Sequence, residues 1–137
     1  MYPEEIVRPM KEELTTVGFQ ELLSPEDVET ALSNLGTSLV VVNSVCGCAA
    51  ANARPAVRIS LNNKSTPDHL YTVFAGVDRD ATDAARAKMM PFPPSSPSLA
   101  LFKDGELVHM IERHHIEGRT AQLIAENLTE AFNEFCD

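Results

Sequence analysis

The sequence predicts an α/β layer protein: a central four-stranded mixed sheet with helices on both faces and extra helices at the N-terminus. Three observations carry this. From residue 38 onward, strand-like and helix-like patterns alternate as β-α-β-α-β-β-α, the order of layered α/β proteins. Ser38–Asn43 (SLVVVN) is short, apolar and β-branched, like strands buried on both faces. Asp104-Gly105 stands between two apolar runs and marks a two-residue hairpin turn.

Residues 4–16 read as a helix carrying Pro9, which has no N–H and so breaks one backbone bond or marks a turn. Gly18 ends that segment. Ser24-Pro25-Glu26-Asp27 is a helix start, with a serine cap, proline at the first position and acids in the first turn. This helix is expected to run to about Leu35 and to close at Gly36. Residues 1–36 are thus a helical extension within one domain, 1–137, whose core spans 38–135. Behind the first strand and the cysteines, AAANARPAVRISLNN reads as a helix kinked at Pro55 and ended by Asn62-Asn63. A second strand is expected over Leu70–Gly76 and a third helix over Asp80–Met90. The proline-rich stretch PFPPSSPS (91–98) is a stiff loop. The hairpin pairs Leu99–Lys103 with Glu106–Glu112. The last helix starts near Arg119-Thr120 and reaches Phe135, with Leu123, Ile124, Leu128, Ala131, Phe132 and Phe135 in helical period. The first βαβ unit should be parallel and right-handed, with the hairpin antiparallel at one edge. Sites in such sheets lie beyond the carboxyl ends of the parallel strands. Cys46 and Cys48 stand there.

The chain has 137 residues, the size of one domain, and is 44% hydrophobic and 23% charged, a globular composition. Its formal net charge is −9, and no Lys/Arg cluster occurs, which argues against nucleic acid as a partner. No apolar run approaches the ~18 residues of a membrane span. MYPEEIVRPM lacks the basic and apolar regions of a secretory signal, so the expected location is cytoplasmic. Disulfides there are rare unless transient and catalytic. Three cysteines (Cys46, Cys48 and Cys136) are too few, and of the wrong parity, for a structural framework.

Cys46-Gly47-Cys48 sits where a strand turns into a helix, and the unpaired N–H groups gathered there favour a thiolate. A free cysteine has a pKa of about 8.5, and helix N-termini can lower it to ~3.5–7.5. Cys46 lies nearer the loop and is read as the attacking nucleophile, with Cys48 as the resolving thiol. A disulfide across one intervening residue closes a smaller ring than Cys-x-x-Cys and departs further from relaxed geometry. Gly47 is the residue best suited to the backbone angles that ring needs. A strained disulfide is easily reduced, so the pair suits exchange or isomerisation better than strong reduction. Ala49, Ala50 and Ala51 either leave room for a bulky disulfide partner or simply favour a helix. Arg54 and Arg58, four apart, could bind an anionic small thiol but read first as a solvated helix face.

The string NSVCGCAAANARP (Asn43–Pro55), with the proline loop and hairpin, resembles the bacilliredoxins, small thioredoxin-like proteins with a Cys-Gly-Cys active site. The resemblance runs from MYPEEIVRPM to the final helix. It implies a thioredoxin-like fold and a thiol–disulfide oxidoreductase that removes bacillithiol, or a similar small thiol, from mixed disulfides on client proteins. Disulfide isomerisation is also implied as an activity. Cys46 matches the nucleophile that accepts bacillithiol, and Cys48 the second thiol. Bacillithiol enters as co-substrate, with no metal, nucleotide or flavin cofactor. Ser96-Pro97 occupies the place of the thioredoxin cis-proline, so the Ser96 backbone could pair with a substrate segment. By itself a proline here would be expected trans, since only about 5–6% of X–Pro bonds are cis. Departures from thioredoxins also matter. There is no Trp, Val45 precedes the first Cys, and Ser38–Asn43 holds no carboxylate to take a proton from Cys48.

Other residues read more plainly. Cys136, the penultimate residue, is expected at a frayed terminus. His69, His109, His114 and His115 are scattered and read as surface or structural. Adjacent His114 and His115 point oppositely in an extended chain, which weighs against their joining the cysteines on a metal. Asp78 reads as a helix cap or turn residue; Phe19, Phe92 and Phe102 as packing. The rival function is a soft-metal module built on Cys46 and Cys48, for which two ligands are too few to close a zinc site. The expected partners are bacillithiolated proteins and a low-molecular-weight thiol, and the expected state is a monomer or weak homodimer.

Overall fold

A computed structural model describes residues 2–136. In chain order its elements are α1 (Glu4–Thr15), β1 (Gln20–Glu21), α2 (Pro25–Leu32), β2 (Thr37–Asn43), a π-helical turn (Ala49–Ala53), α3 (Arg54–Ser60), β3 (His69–Phe74), α4 (Arg79–Ala87), β4 (Ser98–Lys103), β5 (Glu106–Ile111), α5 (Arg113–Ile116) and α6 (Ala121–Phe135). The sheet order is β1-β3-β2-β4-β5, with β1, β3 and β2 parallel and β4 and β5 antiparallel to their neighbours. The sheet therefore has five strands rather than four. The added one, β1, is two residues long and pairs Gln20 with Tyr71. Such a segment is too short to show an alternating pattern in sequence.

Every residue of β2 is buried, as a strand covered on both faces requires. Its side chains alternate. Leu39 and Val41 join Leu99 and Leu101 on the face covered by α3 and α6, with Leu14 of α1 and Phe19 packed in. Val40 and Val42 join Ala100, Phe102 and Val73 on the face covered by α2 and α4. Burying each such side chain stabilises the fold by about 1.5–3 kcal/mol, upper estimates against an extended chain.

Several boundaries differ from expectation. Helix α1 runs unbroken through Pro9. An interior proline costs about 3 kcal/mol, which the burial of Val7 and Leu14 is large enough to offset. α2 is capped by Ser24, whose Oγ accepts the Asp27 N–H at 3.1 Å, but it stops at Leu32. Leu35 beyond it is exposed, so no burial draws another turn into the helix. Pro55 sits in the first turn of α3, not in mid-helix. Without an N–H it cannot close the bond to residue 51, and the chain before it widens into the π-helical turn. α4 ends at Ala87, earlier than expected. The hairpin turn is as read: Asp104 (φ 52) and Gly105 (φ 84) both lie in the left-handed region, the signature of a type I′ turn. α6 is capped by Thr120, whose Oγ1 accepts the Leu123 N–H.

Gly36 (φ +94) joins α2 to β2 and exchanges hydrogen bonds with Asp104: its N–H donates to Oδ1, and its carbonyl accepts the Asp104 N–H, both at 2.8 Å. A Cβ there would strike the Asp68 carboxylate, which accepts the Thr37 N–H at 3.0 Å. Gly36→Ala is therefore expected to cost about 1–3 kcal/mol in urea unfolding. Gly47→Ala, whose Cβ would meet nothing within 4 Å, should leave the midpoint in place. Equal midpoints for the two variants would refute the steric argument.

Candidate active site

Cys46 follows the carboxyl end of β2 by three residues, and the loop between them is held from below. The Asn43 carboxamide oxygen accepts the Ser44 N–H at 2.9 Å, and Ser44 Oγ accepts the Cys46 N–H at 3.2 Å. Arg54 reaches the same loop from α3. Its Nη1 donates to Asn43 Oδ1 and to the Ser44 carbonyl, each at 2.9 Å. Arg54 is 1% exposed, so the expected solvated Arg54–Arg58 face is wrong for Arg54; Arg58 alone is exposed. Periodicity placed the two on one face, but Pro55 and the widened turn swing Arg54 inward. Its Nε lies 3.2 Å from Glu13 of α1, close enough for an ion pair but not aligned as a hydrogen bond. Asn43 Nδ2 donates to the Met10 carbonyl at 3.2 Å, so α1 is tied to the loop twice.

Cys46 and Cys48 are free thiols, both half-buried, with sulfurs 2.7 Å apart. Cys48 packs against the core. The Cys46 carbonyl accepts the N–H groups of Ala49 (2.9 Å) and Ala50 (3.2 Å), so the helical path begins at Cys46 itself. The Cys46 pKa is lowered. The main cause is the hydrogen bond from the Cys48 thiol, followed by the backbone N–H of Cys48, the Arg113 charge and the Ala49 N–H, all against a desolvation cost. Cys48 is raised, first by burial, then by Cys46 beside it and by Glu117. The pair is thus asymmetric, Cys46 shifted toward its thiolate and Cys48 toward its neutral form. Gly47 is exposed, with φ outside the left-handed region, so the dithiol form places no special demand on its backbone.

Val42 pairs with Ser98, which brings the start of β4 beside the end of β2. Ser96–Pro97 therefore borders the cysteine loop, and its peptide bond is cis. Met90–Pro91 is also cis, which the sequence did not suggest. The Ser96 carbonyl already accepts a hydrogen bond from Arg113 Nη1 at 3.2 Å. Arg113 also gives its N–H to Ser95 Oγ at 3.4 Å and its Nε to Glu117.

Arg113 belongs to α5, a short helix absent from the expected elements. Its signal was Glu112-x-x-His115: the Glu112 carboxylate accepts the His115 N–H, while His115 Nδ1 accepts the Glu112 N–H at 3.2 Å. The two histidines are therefore not extended, and their rings lie 4.0 Å apart. Among the described residues, Glu112, His114 and His115 are the group with metal-ligand spacing, and neither Cys46 nor Cys48 belongs to it. Two of its three members, Glu112 and His115, are engaged in the capping box. Cys136 is not frayed. It is 4% exposed in the core, and its N–H bonds the Phe132 carbonyl at 2.8 Å. Asp78 stands at the α4 cap position, but its carboxylate pairs with Lys11 at 2.9 Å and does not cap. Phe19 and Phe102 are core residues; Phe92 is 38% exposed. A groove of about 910 Å³ beside α1, lined by Tyr2, Val7, Lys11, Leu23 and Val77, does not include the cysteines. Among the described residues, no helix is long and apolar enough to cross a membrane.

A family model described as disulphide isomerase matches residues 2–136. A bacilliredoxin of Cytophaga hutchinsonii is 58% identical over 134 residues, covering 98% of this chain and 99% of its own. A bacilliredoxin of Halalkalibacterium halodurans is 53% identical over 137 residues, covering 99% and 95%. Among solved structures, a mutant thioredoxin of Halobacterium salinarum aligns with a TM-score of 0.61 at 16% identity, covering 85% of this chain and 89% of its own, a likeness of fold alone. A sheet of this topology with two adjacent thiols at the end of its central strand, in a chain so close to the bacilliredoxins, defines a thiol–disulfide oxidoreductase of the thioredoxin fold. The chain belongs to the bacilliredoxin family.

Proposed function

We propose that the protein removes bacillithiol, or a similar small thiol, from mixed disulfides on client proteins. The observation that carries this is the asymmetric pair: a lowered thiol at Cys46 and a raised one at Cys48, sulfurs 2.7 Å apart. In the first step the Cys46 thiolate attacks the bacillithiol sulfur. A Cys46–bacillithiol disulfide forms, the old S–S bond breaks, and the client leaves as a thiolate that takes a proton from solvent. In the second step Cys48 gives its proton to solvent and attacks the Cys46 sulfur, breaking the Cys46–bacillithiol bond. A Cys46–Cys48 disulfide forms and bacillithiol leaves as thiolate. A second bacillithiol attacking the adduct instead would restore Cys46 and yield bacillithiol disulfide. The small thiol is a co-substrate in this scheme, and no bound cofactor takes part. Its setting is the cytoplasm, where reduced small thiols turn such an enzyme over. Substrate engagement at Gly47, Ser96 and Pro97 belongs to the same reading, since all three border the cysteine loop. The protein works as a monomer or weak homodimer.

The test is intact mass of the reduced protein after mixing with a bacillithiolated protein. The expected result is loss of bacillithiol from the client, with its gain here or the loss of two hydrogens as the Cys46–Cys48 disulfide forms. A client that keeps its adduct beside an unchanged protein would sink the proposal. Isomerisation is a second reading, favoured by the description of the family model. It predicts that the reduced protein reactivates a scrambled multi-disulfide substrate, and no gain in activity would remove it.

A further inference from the structure

One charged group beside the cysteines has donors to spare beyond its effect on the Cys46 thiolate. Arg113 has five N–H donors on its guanidinium. Nε is taken by Glu117 and one Nη1 hydrogen by the Ser96 carbonyl. The remaining three N–H groups have no acceptor among the described residues, and the side chain is 45% exposed. The fork is therefore anchored on two sides and open on the third. Its position is specific: it bridges the Ser96 carbonyl before Pro97 and Glu117, and its charge bears on both Cys46 and Cys48. A chain of net charge −9 repels anions at long range, so an anionic substrate needs a local cation at the reacting sulfur. An arginine held in this way matches a carboxylate by two parallel hydrogen bonds.

We propose that the Arg113 guanidinium receives a carboxylate on the small-thiol half of the disulfide that Cys46 attacks, and so selects acidic small thiols over neutral ones. The inference rests on the exchange reading above. The engaged Ser96 carbonyl fits it. Arg113 occupies one of the two backbone groups that an extended peptide would pair with there, which shifts recognition from the client backbone to the small thiol. Glu117 balances part of the charge and orients the fork. The chemical step is unchanged: the Cys46 electron pair forms the new S–S bond, and the displaced half leaves as thiolate.

The test uses two symmetrical disulfides of similar size, oxidised 3-mercaptopropionate (anionic) and oxidised 2-mercaptoethanol (neutral). Rate constants for adduct formation on the reduced full-length protein are read by intact mass. Arg113→Gln removes both the fork and the charge, and its effect on thiolate character lowers the rate with both disulfides. The ratio of anionic to neutral rates is the readout of recognition. It is expected to fall by about tenfold or more, as loss of a charge-assisted bond implies. Arg113→Lys should give an intermediate ratio. Arg119→Gln, a cation of the following loop, should leave the ratio near wild type. An unchanged ratio in Arg113→Gln, or an equal drop in Arg119→Gln, would overturn the proposal while leaving exchange intact. A wild-type protein that reacts with neither disulfide would overturn the exchange reading and this proposal together.

Discussion

Replacing Cys46 by alanine is expected to abolish thiol exchange, by about 10³-fold or more, whereas Cys48→Ala should hold the small-thiol adduct on Cys46. The asymmetry follows from where the two sulfurs sit. Cys46 opens the helical path, and its thiolate accepts hydrogen bonds from the Cys48 thiol and from backbone N–H groups. Cys48 packs against the core, and burial favours its neutral form. The sign carries into pH dependence. A lowered pKa keeps Cys46 ionised to lower pH than an ordinary cysteine, so its alkylation by iodoacetamide should begin at lower pH. Cys48, being raised, should react only at higher pH. The thiolate fraction follows these shifts, so at neutral pH Cys46 should be alkylated faster than Cys48. Unfolding in urea should erase the difference. Peptide mapping after a short alkylation pulse reads this directly. Equal labelling of both cysteines in the folded protein would refute the assignment. In Cys48→Ala the leading stabiliser of the thiolate is lost, so the Cys46 profile should move toward higher pH without losing reactivity.

Arg54→Met should destabilise the fold by about 1–3 kcal/mol, through a side chain that lies outside the cysteine pair. The substitution keeps apolar volume but strands the buried Ser44 carbonyl and takes one of two donors from Asn43 Oδ1, which keeps the Ser44 N–H. Each unsatisfied buried acceptor costs about 1–3 kcal/mol. Glu13 adds less, because its side chain is 37% exposed and water replaces the lost partner. Arg54→Lys keeps the charge but not the planar fork, so it should recover only part of the loss. Arg58→Met, on the exposed side of the same helix, should stay within about 0.5 kcal/mol of wild type. Urea unfolding of the three variants gives the comparison. Because Arg54 holds Ser44, whose Oγ accepts the Cys46 N–H, folded Arg54→Lys should also show slower alkylation of Cys46. A loss for Arg54→Met no larger than for Arg58→Met would show that the buried network contributes little.

The parts of this protein legible in its sequence are those whose cause is local. β2 announces itself because a strand buried on both faces must be apolar throughout, and Leu39–Val42 are. The Asp104-Gly105 turn is legible because a type I′ turn needs two residues that accept positive φ. Ser24 and Thr120 mark helix starts through their own hydroxyls. The Cys46-Gly47-Cys48 string marks the place of chemistry, since a pair of thiols at a strand–helix junction has few other uses. What the sequence hid is set by partners far along the chain. β1 exists because Gln20 and Glu21 find β3 some fifty residues later. Cys136 is buried because the end of α6 closes over the core, although chain position alone suggests a loose terminus. Arg54 and Arg113 are the clearest cases. One looks like a surface arginine until a proline and a widened helical turn carry it under the cysteine loop. The other lies beyond the last strand until the β4–β5 hairpin and a one-turn helix return it to Ser96 and the two thiols. The sequence by itself determined the sheet's buried centre, its hairpin and the place of the thiol pair, because pattern, turn chemistry and residue type act within a few residues. Only the tertiary structure decided which charges stand beside those sulfurs, because electrostatic and hydrogen-bonded contacts depend on distance in space, not on separation along the chain.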